Sequence, residues 1–384
     1  GKASTLSTTN LSRQSVENLV TKLMKIVRLS PPGEQRAPLP KGPFRYSRKL
    51  RSVGDPKIDQ AKLPDVVRTS MESALSAGAS RVAGAVTAEK ETRTILTTAG
   101  AEATFTASIY DLNVRAFADS EATGQFANAT NSISKLDAES VGRHAGEIAK
   151  KSLNQEQAEA GKYDVVLGPM ISANLIERVA FASSAFSVLA GSSFLTDKLG
   201  QKIASPSLCL EDDPTNSEAP GAAMFDDEGL PTLGKAIIEK GTLKSYLHNS
   251  NTARKMNTVS TANAGLVGPR PFTLVVGAGT KSLDELVAMV DHGLYVTNNW
   301  YHRYQNMRSG DFSTVIRDGA FRIEGGQIAG PVRGLRLSDN MLRILGNIDG
   351  LGRERSWIKW WEVTIPTLTP SMLVRGANFT KPTL

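Results

Sequence analysis

Beyond Gly191 the long helical patterns of this chain give way to short alternating runs joined by glycine turns, which narrows the folds open to it. Ile237 to Leu243 reads as one hairpin. Phe321 to Ile328 reads as another, its Gly325-Gly326 pair suiting a two-residue turn. Before Gly191, helices and strands are interleaved without a regular order. Residues 11–28 place Val16, Leu19, Val20, Leu23 and Val27 on one helical face and stop at Pro31-Pro32. A second helix follows Pro64-Asp65, with Val67, Met71, Ala74 and Leu75 at helical spacing. Strands are expected over 81–88 and 103–118, the second with a shift of apolar parity near Ile109-Tyr110 of the kind a bulge produces. A helix over 137–153, a strand from Tyr163 to Leu167 and an uninterrupted apolar helical stripe from Ile171 to Leu189 complete this half. Ser282 with Glu285 forms a capping box that opens a short helix. Elements that do not alternate regularly favour an α+β fold with antiparallel sheets over a doubly wound one.

A chain of 384 residues exceeds what one hydrophobic core usually supports. The polar stretch from Asn154 to Lys162 sets the expected division: an N-terminal α/β-type domain over 1–155, and a domain of antiparallel sheets, hairpins and a few helices over 156–384. The net charge of +7 implies a mildly basic surface. Proline and basic residues concentrate in the loop 31–64, which is long enough to line a cleft or a subunit contact. Its nearby aromatics are Phe44 and Tyr46, a poor stacking platform that weighs against nucleic acid. The single cysteine, Cys209, excludes intrachain disulfides and multi-cysteine zinc cages, and its apolar neighbours predict a buried, inert thiol. Without a secretory h-region or a long uncharged apolar span, a cytoplasmic protein with no membrane association is expected.

Side chains with catalytic potential are sparse. His144 and Glu147 lie one turn apart on a helix, but a metal site needs a third ligand, so a satisfied histidine is the simpler reading. His248, His292 and His302 fall near expected element ends, where capping is ordinary. Gly277-Ala278-Gly279-Thr280-Lys281-Ser282 follows a strand and precedes a helix, yet lacks the glycine spacing of a phosphate-binding loop. The acidic groups Glu211-Asp212-Asp213 and Asp226-Asp227-Glu228 lack the spacing of a calcium loop. Trp357, Trp360 and Trp361 stand within five positions, a density that suits an interface anchor, a pocket wall or core packing.

Ser192-Ser193-Phe194-Leu195-Thr196-Asp197-Lys198-Leu199-Gly200, Phe225-Asp226-Asp227-Glu228-Gly229-Leu230-Pro231-Thr232 and Asn251-Thr252-Ala253-Arg254 together resemble the C-terminal half of the TldD/PmbA family, the zinc-protease subunits once labelled modulators of DNA gyrase. The resemblance spans most of the chain and is strongest over residues 160–270. Its catalytic branch carries His-Glu-x-x-x-His before the SSFL-like segment. A gapless match puts the two histidines on Leu175 and Ala180 and the glutamate on Ile176. Residues 145–247 contain no histidine, and the segment matching the family's C-terminal cysteine ligand reads Ser356 to Trp361. The resemblance therefore implies the TldE/PmbA branch, with no zinc and no catalytic residue in this chain. Zinc is expected in a TldD-like partner, with which this chain would form a heterodimer that degrades or trims unfolded peptides; the alternatives are a metal-free homodimer that captures peptides without proteolysis and a nucleic-acid-associated protein. Asp226, Asp227, Glu228, Trp357, Trp360 and Trp361 are the candidates for the substrate cavity or the interface. Gly1-Lys2-Ala3-Ser4-Thr5 resembles the middle of the family's N-terminal domain, which implies that this domain is incomplete here.

Overall fold

The computed structural model describes residues 2, 4–31 and 37–382; the start at Gly1, Ala3 and the stop at Pro32 lie outside them. The first lobe contains α1 (Arg13–Leu29), β1 (Ser52–Val53), α2 (Leu63–Ser76), β2 (Arg81–Leu96), β3 (Glu102–Phe117), β4 (Thr123–Thr130) and α3 (Ala138–Lys151). Ser12 caps α1, but none of that helix's side chains is buried. Asp137 caps α3 by accepting from Ser140 N. Small residues set the α2–α3 contact: a Cβ on Gly142 would meet Ser70 O at 2.0 Å, and one on Gly146 would meet Ala74 O at 2.4 Å. The buried face of α2 is accordingly Ser70 and Ala74, whereas Val67, Met71 and Leu75 are each more than two-fifths exposed. The stripe read from sequence is thus turned partly outward, because close backbone approach leaves no room for large side chains.

β2 and β3 pair without a break from Arg81↔Phe117 to Leu96↔Glu102, so the parity shift at Ile109-Tyr110 is not a bulge. It marks a change of partner. Tyr110, Leu112, Val114 and Ala116 bury against the helices, while Phe105 points to the other face and packs among Leu50, Val53, Phe225 and Phe272. Residues 37–64 strap this arm to the second lobe: Gly42 N donates to Ala99 O, β1 runs parallel to β3, and the Tyr46 hydroxyl donates to Gly229 O at 2.7 Å.

The second lobe contains β5 (Glu156–Gln157), β6 (Gly161–Leu167), α4 (Pro169–Ala182), α5 (Ala185–Leu189), β7 (Leu210–Asp212), β8 (Lys235–Glu239), β9 (Thr242–Leu243), α6 (Ser250–Lys255), β10 (Leu274–Val276) and α7 (Leu283–Ala288). It continues with β11 (His292–Asn306), β12 (Asp311–Glu324), β13 (Gln327–Arg333), β14 (Arg336–Asn340), α8 (Met341–Gly346), β15 (Ile348–Trp360) and β16 (Val363–Thr380). One sheet runs in the order β5-β13-β12-β11-β6-β16-β10-β7-β8-β9, with β14 and β15 joined at its side. Most pairs are antiparallel; β6–β11, β10–β16 and β5–β13 are parallel. This is the α+β architecture expected. Gly325 and Gly326 take φ of 56° and 76°, the left-handed pair that the β12–β13 turn needs.

The helical stripe from Ile171 to Leu189 is not continuous. It breaks at Ser183-Ser184, where Ser184 turns extended, its hydroxyl donates to Pro269 O, and Ala185 N pairs with Leu247 O. Serine hydroxyls that bond elsewhere compete with the helix, which is why the break falls there.

Phe105→Ala should destabilise the chain by about 3 kcal/mol and loosen the β2–β3 arm. Urea denaturation together with limited proteolysis at residues 97–101 checks this; a loss well under 1 kcal/mol with an uncleaved arm would show that the arm is held elsewhere.

Candidate functional site

Strand β6 ends at Leu167, Gly168 caps α4 and Pro169 opens it directly, so the helix lies across β11 and β16. Ile171, Leu175, Ile176, Val179 and Ala180 enter the main core. Leu175, Ile176 and Ala180, the positions matched to the zinc motif, are thus buried apolar side chains. They do not fit a zinc ion, since none offers a lone pair. Among the described residues no group of three or more histidine, cysteine, aspartate or glutamate side chains is placed to hold a metal.

The opposite side of α4 is polar, which the apolar stripe concealed. Glu177 is buried, and its Oε1 accepts from Thr364 N at 2.7 Å, Thr364 Oγ1 at 2.8 Å and Ile365 N at 2.7 Å. Burial raises its pKa above the ordinary carboxylate value, and these donors act against that rise. Asn174 Nδ2 donates to Glu362 O, Asn299 Nδ2 donates to Asn174 Oδ1, and Arg178 Nη2 lies 3.5 Å from Glu362 Oε2. Sequence reasoning missed Asn174, Glu177, Arg178 and Glu362; polar residues three and four apart on an apolar helix were the available signal.

Above this network stands an aromatic cluster. Trp361 lies 5.6 Å from Trp300, 5.7 Å from Tyr301 and 5.3 Å from Trp360, centroid to centroid. Trp360 is buried against Met170 and Ala173 of α4. Trp361 is 50% exposed and Tyr301 46%. Tyr301 has φ of 58° at an irregularity in β11, and its N–H donates to Glu362 Oε1 at 2.8 Å. A left-handed tyrosine costs roughly 1–3 kcal/mol, so the buried carboxylate holds a strained aromatic at the surface.

Trp357 belongs elsewhere. Its carbonyl accepts from Asn128 Nδ2, and it lines a cavity of about 1010 Å³ between the lobes together with Phe126 and His144. His144 Nδ1 bonds Ser140 O at 2.7 Å and its ring stacks on Phe126. The structure therefore brings Trp360 and Trp361 together and separates Trp357 from them.

The acidic turn also divides. Asp226 is fully buried, Oδ1 accepting from Glu228 N and Leu230 N and Oδ2 from Ala264 N; burial raises its pKa to about 6. Glu228 accepts from Ser250 N and Oγ, and Asp227 is exposed. Asp212 forms a separate buried network with Lys235, Asn263, Phe272 N and Thr273 N. The Gly277–Ser282 turn is a packing feature: a Cβ on Gly279 would meet Leu351 O at 1.8 Å. Cys209 is half-buried rather than buried, because its sulfur sits at the β8–β9 turn and accepts from Lys240 N.

His302 is not at an element end. It lies inside β11, buried, stacked on Phe312 at 4.8 Å, with neither ring nitrogen hydrogen-bonded among the described residues. Burial first, then the charges of Arg178 and Arg303, lowers its pKa to about 3.

The chain belongs to the PmbA/TldD family. Residues 160–381 match the PmbA/TldA metallopeptidase C-terminal domain, and residues 56–153 match the central domain of the same proteins. A metalloprotease of Methanothermobacter thermautotrophicus is 32% identical over 234 residues, which are 58% of this chain and 50% of that protein. The chain spans about half the length of the curated relatives it matches. A Thermotoga maritima crystal structure, described as a modulator of DNA gyrase, superposes with a TM-score of 0.86 at 26% identity, covering 99% of this chain and 87% of that one. TldE from Thermococcus kodakarensis shares the fold, with a TM-score of 0.79 at 21% identity over 96% of this chain and 85% of that one. No helix among the described residues is long and apolar enough to cross a membrane.

A histidine that stays neutral in the fold but protonates when unfolded contributes stability above pH 6.5, which is lost as pH falls towards 3. His302→Phe should keep the stacked ring and remove the titration. At pH 5 its urea midpoint should exceed that of the parent by an amount equivalent to roughly 1–2 kcal/mol, with a smaller gap at pH 8. The same gap at both pH values would show that His302 does not titrate in this way.

Proposed function

We propose that this chain is the metal-free, TldE-like subunit of a two-subunit peptidase, pairing with a zinc subunit that carries His-Glu-x-x-x-His. One observation carries the reading: the α4 positions matched to the zinc motif are Leu175, Ile176 and Ala180, packed in the core, and the polar side chains on the other side of that helix are already engaged with Glu362, Thr364 and Ile365. In this division of labour the partner would hold the zinc, which would supply activation of water. This chain supplies wall for the substrate chamber, and the half-exposed Trp361 and Tyr301 supply an anchor for the contact, as aromatics with apolar bodies and polar tips do at interfaces. The substrates are unfolded, extended peptides.

The test is reconstitution. Alone, the chain should cleave no unfolded peptide and carry no zinc that survives mild chelation. Mixed with a family member bearing His-Glu-x-x-x-His, it should form a stable complex with peptidase activity, and Trp361→Ala should weaken that complex about tenfold without lowering the melting temperature. Cleavage by this chain alone, abolished by a substitution within it, would overturn the proposal.

A further inference from the structure

We infer that the cavity between the two lobes is a binding site for an aromatic side chain of an extended peptide. The inference rests on the peptide-handling function proposed above and assigns it a location in this chain. The cavity, about 1010 Å³, exceeds the volume of one aromatic side chain and so admits main chain as well. Its walls carry five rings from separate elements: Phe126 of β4 stacked on His144 of α3, Tyr295 of β11 stacked on Phe321 of β12, and Trp357 of β15. Stacking turns the paired rings towards each other, so the lining offers chiefly ring edges and the Trp357 indole to whatever enters, contacts that aromatic guests favour.

Polar groups for a peptide backbone are present too. The Tyr295 hydroxyl and the Trp357 indole N–H make no hydrogen bond to the described residues, and Asn128, which donates to Trp357 O, keeps its amide oxygen free to accept. Burial pushes the Tyr295 phenol up to about 12, so it stays a donor at every physiological pH.

Charge does not select among guests. The lining includes five carboxylates, Asp137, Glu147, Glu218, Asp284 and Glu354, but Glu147 pairs with Arg143, Glu218 with Lys135 and Glu354 with Arg353, which leaves Asp137 and Asp284 beside Lys151 and Arg355. Selection falls to the rings and to the groups that bond a peptide backbone.

The experiment titrates the chain alone with acetyl-Ala-Ala-Phe-Ala-amide, with the same peptide carrying Ala or Glu in place of Phe, and with AMP, reading heats of binding and tryptophan fluorescence. The Phe peptide should bind about tenfold tighter than the Ala and Glu peptides, and AMP, which lacks a peptide backbone, should bind more weakly than the Phe peptide. Trp357→Leu, and separately the cavity-filling Ser356→Trp, should each abolish the preference for Phe, while Trp361→Ala, outside the cavity lining, should keep it. Equal affinity for the Phe and Ala peptides, binding of AMP in their place, or a preference that survives both cavity variants would overturn the inference. Because the titration uses no partner, its failure is distinct from failure of the zinc subunit to pair.

Discussion

The burial of Glu177 is the constraint on which the centre of the molecule depends. A carboxylate in the interior is tolerable where donors surround it, and here Thr364 and Ile365 provide three of them at the start of β16. This clamps α4 to the strand that pairs with β6, β10, β14 and β15, so the helix and the middle of the large sheet form one unit. The neighbouring Glu362 extends the clamp to β11 through the Tyr301 amide. Removing either carboxylate would leave buried N–H groups without partners, a cost larger than the net worth of the bonds themselves.

The same clamp shapes the surface. Glu362 holds Tyr301 in a left-handed conformation, and that conformation brings Tyr301 beside Trp361. Arg115 of the first lobe lies over the Trp300 ring at 4.7 Å and also pairs with the buried Asp318. The aromatic cluster is therefore anchored from both lobes, a rigid feature rather than a loose patch.

Between the lobes the contact is polar at several points: Arg115 with Asp318, Lys359 with Asp111, Gln125 with Asn298, and Asn128 with the Trp357 carbonyl. Directional bonds of this kind fix the two lobes at one spacing while leaving the volume beside them unfilled. A purely apolar contact of the same extent would close by repacking, and the cavity lined by Trp357 would shrink with it.

Much was legible in the sequence because it is local. Periodicity marked the helices and strands, the Gly325-Gly326 pair marked its turn, and Ser282 with Glu285 marked a cap that the structure contains. The absence of histidine from residues 145–247 alone settled that α4 bears no His-Glu-x-x-x-His. Tertiary structure decided the rest, since it depends on which distant segment faces which. The parity change in β3 looked like a bulge because alternation records burial and not the identity of the partner: Tyr110 buries against helices and Phe105 against a loop more than a hundred residues away in sequence. The three tryptophans looked like one cluster because they are neighbours in sequence, but the irregular β15–β16 pairing sends Trp357 to the inter-lobe cavity and Trp361 to the cluster with Trp300. Asn174, Glu177 and Arg178 stood at a visible helical spacing, but their role was not legible, as a buried polar residue acquires its meaning from the partners that folding brings to it.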